Sequence, residues 1–143
     1  MMEIETVLSG GALAPQRAYP TDAGADLKSI ENWDLMPGHE KLFDTGIAIA
    51  IPEGFVGLIF SRSGNAKNGI KLANSVAVID SDYRGNLKIL LENTSSDYTF
   101  IVKRGVTKIA QLVIVPIMLP VYKQVDTLDD TVRGIGGFGS TGA

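Results

Sequence analysis

The sequence predicts an all-β domain of the sandwich or barrel type, jelly-roll-like in outline. Two observations carry that reading. No segment keeps a helical apolar period over three turns, and short apolar runs alternate with turn residues about every 8–12 positions. Size fits it too: 143 residues suit one domain, and such a chain buries roughly 68–70% of its extended surface without a staple. We divide the chain into a β domain over residues 1–130 and a flexible glycine-rich arm over 131–143.

Residues 3–8 read as a first strand. Gly10, Gly11 and Pro15 punctuate the next stretch, and residues 18–29 form a loop running into a short strand. Residues 42–51 alternate as one strand, with Ile47, Ile49 and Ile51 on one face and Ala48 and Ala50 on the other. Pro52, Glu53 and Gly54 turn the chain into the dense apolar strand 55–60. Residues 61–69 are polar and have room for one helical turn, nothing longer.

Residues 70–73 lead into 74–91, the stretch around which the chain is organised. It reads as two strands flanking a polar tip, with Val76 and Val78 on one arm and Leu87, Ile89 and Leu91 on the other. The tip, Asp80 to Gly85, is too long for a two-residue hairpin, and Gly85 supplies the freedom of a wider loop. Strands follow at 98–102 and 108–115, the latter stopped by Pro116, and a late strand is expected at 118–125. The last stretch carries glycine at 134, 136, 137, 139 and 142. It cannot pack a core of its own and is expected to be mobile in the free protein.

Composition excludes several classes. There is no cysteine, so disulfides and thiolate metal sites are out. The single histidine, His39, sits beside Pro37 and Gly38 as a solvated turn, and no zinc site can be built on it in one chain. The His/Cys/Cys pattern of zinc nucleobase deaminases is absent. A net charge of −3 argues against direct binding of nucleic acid. No apolar run approaches the 18 or so residues of a membrane span, and the N-terminus lacks a targeting pattern. We read a soluble cytoplasmic protein (nuclear if its source is eukaryotic or viral).

Chemistry concentrates in clusters. Asp22, Asp26 and Ser29 form an acidic turn, also common as plain loop chemistry. Ser61, Arg62, Ser63, Gly64 and Asn65 offer a guanidinium fork, hydroxyls and glycine-freed N–H groups, a set that suits an anion as well as a polar turn. At the tip, Asp80, Ser81 and Asp82 open like a calcium loop, but Arg84 and Leu91 stand where ligands are required, so calcium is rejected. A carboxylate at a strand end can serve as general base for water, and Tyr83 offers a flat face to a sugar or base. Gln111 lies within an apolar strand and either faces solvent or needs partners, since an unpaired buried amide costs roughly 1–3 kcal/mol. Arg133 to Gly142 is not a phosphate-binding Walker loop, because the Lys-Ser/Thr pair is missing. Its one cation, one aromatic ring and two hydroxyls among glycines read as a lid.

These clusters, in this order, resemble the homotrimeric dUTPase family. The matching stretches are 22–27, 62–64, 77–85, 109–112 and 133–142, so the resemblance spans essentially the whole chain. It implies a jelly-roll subunit, a homotrimer with sites shared between subunits, and Mg²⁺-dependent hydrolysis of dUTP to dUMP and pyrophosphate by attack of water on the α-phosphorus. That activity keeps uracil out of DNA and supplies dUMP for dTMP synthesis. By the same resemblance Asp80 is the general base. Tyr83 packs on the deoxyribose. The backbone near Ala77, Val78, Ile79 and Lys88, with the Asn74 side chain, reads the uracil edge. Arg62, Ser63, Gly64 and Gln111 hold phosphates, and Asp26 binds the metal through water, the ion's direct ligands being substrate phosphates. Arg133, Phe138, Gly139, Ser140 and Thr141 close over the nucleotide, with Phe138 stacked on the uracil.

The chain departs from the common pattern at Ser61, where many members have proline, at Asn65, often leucine, and at Ala77, often glycine. Two alternatives stand beside the hydrolase. A dCTP deaminase shares the fold but carries a glutamate ten residues beyond the matching aspartate; here that residue is Leu90, with Glu92 two further on. A nucleotide-sensing regulatory protein would use the same pocket as a switch.

Overall fold

The structure, a computed structural model, describes residues 2–142. Its regular elements are short strands with one helix: β1 (Thr6–Leu8), β2 (Ala25–Lys28), β3 (Trp33–Leu35), β4 (Glu40–Asp44), β5 (Ile47–Ile49) and β6 (Phe55–Phe60), then helix α1 (Ser63–Lys67), then β7 (Ile70–Leu72), β8 (Ala77–Ile79), β9 (Lys88–Asn93), β10 (Phe100–Val102) and β11 (Lys108–Pro116). The four-stranded sheet runs β2-β11-β6-β8 and the three-stranded sheet β4-β9-β7, with two-stranded ribbons β1-β5 and β10-β3 beside them. All strand pairs are antiparallel. Leu27, Phe43, Ile59, Ile89 and Ile109 from both larger sheets meet in one core, where alternation sends every second side chain inward.

Several sequence expectations change. Residues 42–51 are two strands rather than one, because Gly46 takes φ +66 between them and each half pairs in a different sheet. A side chain at Gly46 would also collide with the Ser9 carbonyl, so the break requires glycine. Residues 33–35 form a strand not expected from the sequence. The late strand at 118–125 is absent: past the Ile117 N–H, which donates to the Gly54 carbonyl at 2.8 Å, the segment has no ladder, and Met118, Val121 and Tyr122 are about nine-tenths exposed. The two arms of 74–91 do not form a hairpin with each other. β8 pairs with β6, while β9 pairs with β4 and β7. The chain changes sheets at Ser75, which takes a left-handed φ of 64. Val76 and Val78 point outward, and Ala77 turns into the core.

The expected single helical turn is present as α1, and strand 55–60 forms as read. No helix of the described residues is long and apolar enough to cross a membrane.

Candidate functional site

Cross-strand register gathers the first group of residues. Asp26 of β2 stands opposite Gln111 of β11, and Gln111 opposite Phe60 of β6. Arg62 follows Phe60 by two residues, so three strands deliver their polar residues to one end of the sheet. There Asp26, Arg62, Ser63, Gly64 and Gln111 line a cavity of about 560 Å³ with Ala18, Asp22, Ala23 and Gly24.

The contacts in this cavity are specific. Arg62 Nε donates to Asp26 Oδ1 at 2.7 Å, and Lys108 Nζ lies 2.6 Å from Asp26 Oδ2. Burial pushes the Asp26 carboxyl up, but the hydrogen bond from Lys108 and the charge and hydrogen bond of Arg62 outweigh it, so the group sits below the ordinary carboxylate value. Arg62 is gripped only through Nε, which leaves the outer edge of its fork for an anion. Arg62 is also the residue before α1 and makes no side-chain cap, so the first N–H groups of the helix, which have no intrahelical partner, receive none from it. Gln111 Nε2 donates to the Ser61 carbonyl at 3.0 Å, so its amide, on the strand face away from the buried Ala110 and Leu112, is held at the cavity rather than left to solvent. A Cβ on Gly24 would overlap the Gln111 amide, so glycine there is a matter of space.

The second group lies where β8 and β9 part. Val78, Ile79, Asp80, Tyr83 and Lys88 line a slot of about 210 Å³. Its tip is braced from within. Arg84 Nη1 donates to the Ser81 carbonyl at 2.7 Å and the Tyr83 carbonyl at 3.1 Å, and Tyr83 Oη donates to the Asn86 carbonyl at 2.9 Å. The Tyr83 ring lies against Gly85, where any Cβ would strike it. Gly85 is therefore needed for close approach, and not for the backbone freedom expected of it. Asp80 also borders a wider cavity of about 660 Å³ with Phe55, Ile117 and Leu119.

The two groups are far apart in one subunit. Ile79 pairs with Gly57, which puts Asp80 level with Val56, at the opposite end of β6 from Arg62. Six residues at about 3.3 Å each separate the groups by roughly 20 Å.

The chain matches the dUTPase family model over residues 11–142. The chain belongs to the dUTPase family. It is 50% identical over 129 residues to the deoxyuridine 5'-triphosphate nucleotidohydrolase of Rhodococcus erythropolis, covering 90% of this chain and 78% of that one. Identity to the enzyme of the same name from Tropheryma whipplei is 45% over 142 residues, 99% of this chain and 96% of the other. Among solved structures, a mutant dUTPase of Staphylococcus bacteriophage 80alpha with dUpNHpp superposes at a TM-score of 0.87, with 32% identity and full coverage of both chains. A mutant dUTPase of phage phi11 of S. aureus, described as revealing the coordination of a structural Mg(II) ion, gives 0.80 at 32% identity over 90% of this chain and all of that one.

Against that family background, the remaining residues fall into place unevenly. Asn74 is exposed on the turn before β8, and Ala77 offers only its backbone, its methyl being buried. Arg133, Phe138, Gly139, Ser140 and Thr141 line neither cavity. Their segment folds on itself: Arg133 Nε donates to the Gly136 carbonyl at 2.9 Å, and Phe138 is fully exposed at a left-handed φ of 48. Glu92, the acid nearest the deaminase position, is paired with Lys71 at 3.3 Å across β9 and β7. Lys108, which contacts Asp26 from beside the cavity, escaped the sequence reading; Gly24 entered it only as part of the stretch 22–27, without its spatial reason. The only sequence mark of Lys108 is a cation at the head of the apolar strand.

Proposed function

We propose that this chain hydrolyses dUTP to dUMP and pyrophosphate in the presence of Mg²⁺, as a homotrimer whose sites are shared between subunits. The observation that carries this reading is the separation of two complementary half-sites at opposite ends of β6. One, with Arg62, Ser63, Gly64 and Gln111, suits phosphates. The other, with Asp80 and Tyr83, suits a base and sugar. A nucleotide spans them only if one subunit's slot faces another's phosphate cavity. The exposed apolar run from Met118 to Leu128 supports the same assembly, since so much apolar surface on one chain favours association.

The slot between β8 and β9 favours a planar base held by backbone groups. Val78, Ile79 and Lys88 line it, Asn74 reaches toward the base from the turn before β8, and Tyr83 covers the sugar. Backbone reading on rigid strands matters here, because shape alone discriminates a methyl group by only about 1–3 kcal/mol. Asp80, at the strand end, takes the proton from the water that attacks the α-phosphorus. Arg62 and Arg133, with the N–H groups of Ser63, Gly64 and Gly139 and the hydroxyls of Ser140 and Thr141, stabilise the phosphate charge, which in phosphoryl transfer is most of the catalytic task. Residues 131–143 act as a lid, and Phe138 stacks on the uracil.

The donor set fits a phosphate-borne ion. Mg²⁺ usually keeps phosphate and water ligands rather than an all-protein cage. Asp26 has one lone pair on each oxygen still free to accept from such waters. When bound, the ion neutralises phosphate charge. Leu90 stands where a deaminase carries its glutamate, and Glu92, two residues on, is paired with Lys71.

Pyrophosphate release from dUTP, dTTP, dCTP and UTP, each with and without Mg²⁺, tests the reading. Release confined to dUTP with Mg²⁺, from a species near three times the 15.2 kDa subunit mass in sedimentation, is expected. Ammonia release from dCTP, or full activity in a monomer, would overturn it.

A further inference from the structure

Lys108 reaches Asp26 only because β11 is irregular. Ala110 stands opposite Leu27, and Lys108 opposite Lys28, so two residues of β11 span a single step of β2. Ile109 is the extra residue of a β-bulge. In unbroken alternation Lys108 would share the face of Ala110 and Leu112, both buried in the core. The bulge moves it to the face of Lys28 and Asp26, and Ile109 joins Ala110 inside. The displaced main chain is then fastened: Asn65 Nδ2, from α1, donates to the Lys108 carbonyl at 3.0 Å. Lys108 thus joins the phosphate loop through its backbone and Asp26 through its ammonium.

We infer that Lys108 is a positioning residue that reserves Arg62 for the triphosphate. The inference rests on the phosphate reading of this cavity. Asp26 presents two oxygens to two cations, with Arg62 Nε on Oδ1 and Lys108 Nζ on Oδ2. An arginine beside a free carboxylate takes both oxygens in a parallel two-bond fork. Lys108 blocks that outcome by occupying Oδ2. Arg62 is left on a single Nε bond, with its terminal nitrogens available to phosphate. Without Lys108, Arg62 swings into the fork with Asp26, and the cavity loses its anion donor.

The test is binding of a non-hydrolysable dUTP analogue and of dUMP, with Mg²⁺, to the full chain. Lys108→Met should weaken the analogue by about 10–100-fold, the usual cost of losing an outer partner, while dUMP binding changes little. Lys108→Arg should restore most of the loss. In a double-mutant cycle, adding Lys108→Met to Asp26→Asn should cost almost nothing, because an amide cannot trap Arg62 as a carboxylate does. Additive losses would mean that Lys108 meets the phosphates directly, and unchanged analogue binding would mean that it does nothing there; either overturns the inference. If Lys108→Met fails to fold, Asn65→Leu releases only the Lys108 carbonyl. It should then weaken the analogue more than dUMP, and equal or no weakening counts against us. An unaltered chain that does not cleave dUTP would defeat the proposed function instead, so the two failures are distinct.

Discussion

Arg62 and Asp26 are joined by a single 2.7 Å bond from Nε to Oδ1 across the end of the four-stranded sheet. The pair is partly buried, with the Asp26 side chain 12% exposed. It holds the residue that precedes α1 against β2, and it sets a pH dependence.

The Asp26 carboxyl titrates below its unfolded value of about 3.9. A depressed carboxylate stabilises the fold fully above that value, and the contribution is lost as pH falls through the lower folded value. Asp26→Asn should therefore lower the melting temperature near neutrality and flatten its fall below about pH 4. Parallel melting curves of the two proteins down to pH 2 would contradict this.

Gly24 leaves the space that the Gln111 amide fills. Gly24→Ala should expel that amide from its bond to the Ser61 carbonyl, at a cost of about 0.5–1.5 kcal/mol. The larger effect should fall on KM for dUTP, since Gln111 leaves the phosphate cavity. Kinetics of the variant against the unaltered chain decide the matter, and an unchanged KM would remove Gln111 from the site.

Asp80 stands at the end of β8 with its side chain exposed to the slot. Asp80→Asn should keep analogue binding and reduce turnover by about 10²–10⁴-fold, the range for a positioned base. Near-normal turnover in the folded variant would refute its role.

The arm makes its hydrogen bonds to itself. Ordering it over a nucleotide costs about 1 kcal/mol or more per residue fixed, which only a triphosphate's many contacts offset. Removing residues 132–143 should leave the assembly folded and binding dUTP weakly, with hydrolysis lower by orders of magnitude. Phe138→Trp should change its fluorescence with a non-hydrolysable dUTP analogue and less with dUMP. Full hydrolysis by the shortened chain would make the arm a mere linker.

The all-β class is legible in the chain alone, because alternation and turn residues are local properties. The sequence also singled out Asp26, Arg62, Asp80, Tyr83 and Gln111 as candidates, because those residue types stand out from an apolar strand or a short turn, while their roles came from the resemblance to the family. Tertiary structure decided who pairs with whom. The arms around Asp80 look like a hairpin in sequence, yet each finds a better ladder elsewhere, and the slot is what they leave between them. The apolar run after Pro116 has the composition of a strand, but a strand needs a partner edge, and none is offered to it within one subunit. Lys108 was invisible for the same reason: only a bulge set by pairing with β2 turns it from the core face onto Asp26. Register and long-range pairing depend on contacts between residues far apart in sequence, and no local pattern encodes them.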